Sequence, residues 1–563
     1  MSNVHVDFDV PVPMSDGTVL RADVYRPGTG DGPWPVLLQR TPYGKRTTFA
    51  TLVIDILAAV ERGYIVVQQD TRGRFASDGH WKPFSTEESD GRDTVAWAAS
   101  LPGSNGAVGM FGLSYTGNTQ WSAAIAGSPG LRAIAPAVTW SDPHDGLYQR
   151  GGALELGLNG FWTLFTGATE LPRRHDGMEL MAALGALVND WDHLADRGYW
   201  ELPAGQLPAI SRYGGPDIGA QDALHARDRT LSTYVGEHQH KVSVPAFSIA
   251  GWYDVFLQGT LDNHAASVAA GNTSKLLIGP WSHFEVGSGG IAHSGEVNYG
   301  LASAPTLIGG TTSLTGLELR WFDHWLKGDD TGLRDEAPVR IFVMGTNTWR
   351  DEQEWPLSRA VDTPWFLAAG GALTTTAPTE EAGDEHDGFS YDPADPVLTR
   401  GGHLVMSSEF PPGAFDQAAT EARPDVLVYT SEVLSEDIEV TGRIRMRLYA
   451  SSDAPSTDWV VRLCDVDAKG VSHNLADGIL RIHAEPGSQG CYEIDLWSTS
   501  NVFLAGHRIR VHVTSSNFPR WDRNPNTGEA SHEATTVRTA QQQIFRDARR
   551  PSHIILPVIP TSS

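Results

Sequence analysis

Three side chains at the ends of apolar segments have the types and order needed for acyl transfer. The first is Ser114, in Gly109-Met-Phe-Gly-Leu-Ser-Tyr-Thr-Gly117. An apolar strand runs into Gly112-Leu-Ser114 and a helix-compatible stretch follows at once, the strand–turn–helix setting of a nucleophile elbow. Bulky neighbours collide in so sharp a turn, which is why glycines flank such a serine. Here Thr116 takes the second flank and glycine comes only at 117, a departure from G-x-S-x-G. A serine so placed sits at the amino end of a helix, where unpaired N–H groups stabilise negative charge. The N–H of Tyr115 is therefore a candidate oxyanion donor. The same short pattern also fits an ordinary Gly/Ser turn, so it needs partners.

A serine hydroxyl is a poor nucleophile at neutral pH unless a base, held by a carboxylate, removes its proton. In α/β sheets with this elbow the order along the chain is Ser, Asp or Glu, then His, each at the carboxyl end of a strand. Phe247-Ser-Ile-Ala-Gly-Trp-Tyr-Asp254 is an apolar run ending in a carboxylate, and Leu276-Leu-Ile-Gly-Pro-Trp-Ser-His283 one ending in a histidine. Asp70 also ends an apolar run, but it precedes the serine, and its neighbour Arg72 suggests a structural ion pair. His324 falls in a predicted amphipathic helix, and His238 and His240 lie in a polar loop without the helical HExxH pattern of a zinc site. Ser114, Asp254 and His283 are the expected triad.

These residues need a scaffold. Residues 4–27 alternate apolar and polar about Asp16-Gly17, the pattern of a hairpin with a tight turn. Apolar runs at 35–40, 64–69, 108–113, 133–138, 246–250 and 275–278 read as buried strands, separated mostly by helical stretches, the signature of a largely parallel sheet covered on both faces. Between 145 and 241 the alternation stops, and helix-compatible segments at 180–187, 191–194 and 213–229 suggest a cap over the strand ends, where α/β sheets bind ligands. Beyond Trp355 the texture changes again: 370–388 reads as a linker, and alternating segments such as Val440–Leu448 and Ile509–Val513 suggest a jelly roll. The expected division is a catalytic α/β-hydrolase domain at 1–144 and 242–355, a helical cap at 145–241, and a β-sandwich at 356–563.

Composition narrows the partners. A formal net charge of −26 repels phosphate backbones and anionic membrane surfaces, so nucleic-acid and membrane binding are not expected. Two cysteines, Cys464 and Cys491, allow no disulfide framework and no thiolate metal site. The first residues, MSNVHVDFDVPVPM, lack the basic and apolar regions of a signal peptide, and a cytoplasmic protein is expected.

Taken as a set, Thr41-Pro-Tyr-Gly44, Asp70-Thr-Arg-Gly73, Gly112-Leu-Ser-Tyr-Thr-Gly117, Gly251-Trp-Tyr-Asp254, Gly279-Pro-Trp-Ser-His283 and Trp321-Phe-Asp-His-Trp-Leu-Lys327 make the chain resemble the cocaine esterase / Xaa-Pro dipeptidyl-peptidase family of α/β-hydrolases. Val343-Met-Gly345, Tyr391-Asp-Pro-Ala-Asp-Pro396, Ser500-Asn-Val-Phe-Leu-Ala-Gly-His507 and Ser515-Ser-Asn-Phe-Pro519 extend the likeness over nearly the whole chain, weakest in 145–241 and 370–425. The resemblance implies the same three-part architecture and the same triad, with no metal or organic cofactor. It adds Tyr43, whose phenol in this family helps the N–H after the serine to hold the oxyanion. It also implies substrate contacts from Phe256, from Phe161 or Trp162 in the cap, and from Leu404 and Met406 in the jelly roll, which would favour an apolar or aromatic acyl group. The expected substrate is a small ester cleaved through an acyl-enzyme. Alternatives are an Xaa-Pro dipeptidyl-peptidase, an amide or β-lactam acylase, or a carbohydrate-binding protein with a degenerate core. Relatives commonly form homodimers, and a homodimer is a possible state here.

Overall fold

The apolar runs of the amino-terminal half become neighbouring strands of one sheet. The structure is a computed structural model that describes residues 4–213, 234–287, 292–379 and 386–560. Ten strands form this sheet: β1 (Val4–Pro13), β2 (Val19–Pro27), β3 (Trp34–Thr41), β4 (Ile65–Asp70), β5 (Ser104–Leu113), β6 (Leu131–Ala137), β7 (Ala246–Tyr253), β8 (Ser274–Ser282), β9 (Val339–Val343) and β10 (Thr348–Glu352). Their order is β1-β2-β4-β3-β5-β6-β7-β8-β9-β10. From β4 to β9 every pairing is parallel, while β1, β2 and β10 add antiparallel edges. β9 and β10 extend the sheet beyond the strands expected from sequence. They are five residues each, and β10 (TWRDE) has the polarity of an edge rather than of a buried run.

Period-two alternation explains why both faces need cover. In β3 and β5, Leu37, Phe111 and Leu113 belong to one apolar cluster, while Val36, Leu38, Val108 and Met110 belong to another across the sheet. Helices α1 (Ile56–Glu61), α2 (Glu87–Ala99) and α3 (Tyr115–Ile125) connect the early strands. The cap holds α4 (Leu156–Arg174) and α5 (Gly177–Asp192), packed on one another about Leu164, Leu171 and Leu187. The helix expected at 213–229 lies, apart from Tyr213, outside the described residues. Helix α6 (Leu257–Ala269) follows β7, and α7 (Leu314–Phe322) precedes β9.

Among the described residues the carboxyl-terminal part is mainly β, eleven strands in one hydrogen-bonded network between Val361 and Ile559 with one short helix at Ala418–Glu421. Its apolar core is continuous with one end of the α/β sheet: Trp252, Tyr253, Ile278 and Phe342 pack in the same cluster as Ile444, Leu496 and Val511. Main-chain bonds cross the join, with Met344 N–H donating to Ser500 and Val502 N–H to Met344. Shared apolar burial and backbone pairing make the two parts one packed body, so a residue of the β part can serve as a fixed wall of the catalytic cavity. Among the described residues no helix is long and apolar enough to cross a membrane.

Candidate active site

β5 ends in the turn that the flanking glycines predicted. Ser114 has φ 60° and ψ −124°, and its N–H donates to Ala137 O at 2.9 Å. Gly112 has φ 129°, and a Cβ there would lie 2.3 Å from Thr116 Oγ1. At Gly117 a Cβ would meet Thr139 Cβ at 2.9 Å and Ala137 O at 3.0 Å. The departure from G-x-S-x-G thus has a local cause. The residue pressed against the next strand is 117, whereas Thr116 turns its hydroxyl back to Leu113 O at 2.7 Å. The Tyr115 N–H, in the first turn of α3, has no hydrogen-bond partner among the described residues, as expected at a helix start.

Asp254 follows β7 directly and is fully buried. Its Oδ2 accepts the Phe256 N–H at 2.9 Å, and its Oδ1 lies 2.6 Å from His283 Nδ1. An ionised carboxylate only accepts, so Nδ1–H donates, and the free Nε2 is left as the basic nitrogen. His283, one residue past β8, is wedged edge-on between Phe256 and Phe284, with ring centroids 5.4 and 5.2 Å away. Three chain-distant side chains are brought together because β5, β6, β7 and β8 are consecutive in the sheet and end on one edge.

Ser114 and His283 line one cavity, together with Tyr43, Phe84, Trp140, Leu158, Asn159, Phe161, Trp162, Phe256 and Val405. Tyr43 lies on the loop after β3. Its hydroxyl accepts the Trp162 indole N–H at 3.1 Å, and the residue lines the same cavity as Ser114. Desolvation pushes this phenol up to about 12, while the bond from Trp162 and the nearby Ser114 hydroxyl pull the other way. It therefore stays a neutral donor across the physiological range, with its acceptor side used by Trp162.

Supports for these groups were not visible in the sequence. Arg74, fully buried, donates through Nε to Pro42 O at 2.7 Å, beside Tyr43, and pairs with Glu170 of α4. It ties the loop carrying Tyr43 to the helix carrying Trp162. Behind the elbow, Tyr115 donates its hydroxyl to Glu87 at 2.7 Å, and Arg40 completes a buried pair with the same carboxyl, also at 2.7 Å. Burial raises Glu87, and the Arg40 charge opposes that. Asp70 does not pair with Arg72. It accepts from Lys45 Nζ at 2.7 Å and from the Lys45 N–H at 2.8 Å, whereas Arg72 reaches Asp90 and Asp16. The ends of β3 and β4 are adjacent, so Lys45 meets Asp70, and Arg72 is left to face α2.

Of the expected pocket residues, Phe256, Phe161 and Trp162 reach the cavity, whereas Leu404 and Met406 do not. They pack into the cap core with Leu156 and Tyr199, and the residue between them, Val405, faces the cavity with Phe256 and Trp140. Side chains 404 and 406 enter one apolar cluster and 405 the other, so a reading displaced by one residue selects the wrong face.

This sheet order, elbow and Asp–His pair define a serine hydrolase of the α/β-hydrolase class. Residues 16–285 match the X-Pro dipeptidyl-peptidase (S15) family, and residues 331–555 match the X-Pro dipeptidyl-peptidase C-terminal non-catalytic domain. Cocaine esterase of Rhodococcus sp. (strain MB1 Bresler) is 38% identical over 586 residues, covering 99% of each protein. The chain belongs to this family. Among solved structures, an aminopeptidase from the marine sediment archaeon Thaumarchaeota archaeon superposes with a TM-score of 0.82 at 26% identity, over 99% of this chain and 97% of that one. An α-amino acid ester hydrolase superposes with a TM-score of 0.77 at 24% identity and the same coverage, a likeness of fold.

Proposed function

We propose that the protein is a carboxylesterase that cleaves small esters with apolar or aromatic acyl groups, using Ser114, His283 and Asp254. The observation that carries this reading is the His283–Asp254 bond at the edge of an aromatic-walled cavity that Ser114 and Tyr43 also line. Ser114 Oγ adds to the ester carbonyl while its proton passes to His283 Nε2. Asp254 fixes the tautomer and stabilises the imidazolium. Tyr43 O–H and Tyr115 N–H hold the oxyanion, and a donor of this kind contributes about 3–4 kcal/mol to the transition state. The tetrahedral adduct collapses, the alcohol leaves with the proton from His283, and an acyl-enzyme remains. Water, deprotonated by His283, then releases the acid and restores the serine.

The cavity wall favours an ester over a peptide with a free amino terminus. Among the described residues lining it, none is an Asp or Glu that could neutralise an ammonium group. A buried cation without a partner is heavily penalised. Labelling by a fluorophosphonate, mapped to its peptide, tests the nucleophile, and a panel of aromatic esters against aminoacyl-proline amides tests the class. Faster turnover of the amides would overturn the ester reading. A cytoplasmic location fits two unpaired cysteines, one of them exposed. A homodimer is the proposed assembly, and light scattering on the purified chain decides it.

Tyr43→Phe should lower kcat by about 10²–10³, with KM much less affected, since the phenol acts on charge that develops only in the transition state. Activity near wild type would remove Tyr43 from the oxyanion site. The high position of this phenol makes a second expectation. Between pH 7 and 10 the donor keeps its proton, so the alkaline side of the kcat profile should show no fall in the wild type that disappears in Tyr43→Phe.

A further inference from the structure

Asn159, in the first turn of α4, has an amide whose orientation is fixed from both sides. Its Nδ2 donates to Leu147 O at 3.0 Å and to Glu155 O at 2.8 Å. Both partners are carbonyl oxygens and can only accept, so the nitrogen must face them and Oδ1 must face away. No described residue donates to that oxygen. The side chain is 5% exposed, and the space that it borders is the catalytic cavity. An acceptor with two free lone pairs therefore stands in the wall beside Leu158, Phe161 and Trp140.

Of the other polar groups of the wall, the buried Trp140 indole N–H has no partner among the described residues. It is a donor, however, and would serve a substrate acceptor, which leaves the Asn159 oxygen to read a substrate donor. Tyr43 accepts from Trp162, the Tyr115 hydroxyl bonds Glu87, and Ser114 and His283 belong to the reaction. A wholly apolar acyl group filling the cavity would strip water from Asn159 Oδ1 and give nothing back. A group that presents a donor there replaces that water in a low-dielectric surround, where a hydrogen bond counts for more. An apolar pocket with one placed acceptor discriminates by what the substrate can donate.

We propose that Asn159 is a specificity-determining residue, which makes the preferred substrates esters whose otherwise apolar acyl group carries a neutral donor, a hydroxyl or an amide N–H. This rests on the esterase reading above and narrows its substrate class. An ammonium is not the preferred donor, because no carboxylate among the described lining residues would balance its charge.

The test uses 4-nitrophenyl esters of phenylacetic acid, of its ring and side-chain monohydroxylated forms, and of the matching methyl ethers. In the wild-type enzyme at least one hydroxylated ester should exceed both its parent and its methyl ether in kcat/KM by about tenfold. In Asn159→Leu that ratio should fall to about one, whatever the absolute rate. Wild-type ratios alone suffice if the variant does not fold. Hydroxylated esters all at or below their methyl ethers would overturn the proposal, as would a preference that survives in Asn159→Leu. Failure of the esterase reading looks different: no ester of the panel is turned over and Ser114 takes no fluorophosphonate.

Discussion

Ser114→Ala should cut turnover of 4-nitrophenyl and benzoyl esters by about 10⁶-fold while moving the thermal unfolding midpoint by no more than a degree or two. The two halves of the expectation have separate origins. The rate loss follows from removing the atom that forms the covalent bond, after which His283 and Asp254 have nothing to activate. Stability is spared because the main-chain bond from Ser114 to Ala137 O remains, the Cβ is unchanged, and the hydroxyl faces the cavity rather than the core. The strained φ of 60° is common to serine and alanine, so the turn costs the same in both. The residue left after substitution is what the oxyanion donors and the cavity do to a bound ester with water as nucleophile. Steady-state rates and a melting curve on one preparation check both halves. Activity above about one per cent of wild type, in a variant verified by mass, would place the nucleophile elsewhere.

How far the sequence led depended on how local each signal was. Ser114, Asp254 and His283 were legible because each ends an apolar strand, and strand ends can be read from a window of ten residues. That β5, β7 and β8 lie close enough for those ends to meet follows from parallel topology, which the strand–helix alternation already implied. Tyr43 came from resemblance; as a residue in a turn it carries no signal of its own. Val405 was missed by one position, because nothing in Leu404-Val405-Met406 says which side chain faces the cavity and which the cap. Arg74, Glu170 and Asn159 were illegible for a different reason. Their partners lie on other elements, at Pro42, on α4 and at Leu147, and long or amide side chains choose among several carbonyls only once the chain is folded. The same limit produced the mistaken Asp70–Arg72 pairing, where adjacency in sequence stood in for adjacency of strand ends.

The Asp254 carboxylate makes an expectation that is sharper than loss of charge. In Asp254→Asn the side chain keeps its shape, but its two ends are no longer equivalent. One end faces the Phe256 N–H at 2.9 Å, and only an oxygen can accept there. The amide nitrogen is therefore directed to the other end, 2.6 Å from His283 Nδ1. Two N–H groups cannot face one another, so the imidazole must present a bare Nδ1 and carry its proton on Nε2. That is the nitrogen that should take the proton from Ser114, and it arrives already protonated. The rate should fall by about 10⁴ at neutral pH, with fluorophosphonate labelling of Ser114 slowed in proportion and the cavity unchanged. KM should move little, because Asp254 is buried and does not line the cavity. A tenfold loss or less in both turnover and labelling would mean that the tautomer of His283 is set by some other group, and Asp254 would then lose its place in the triad.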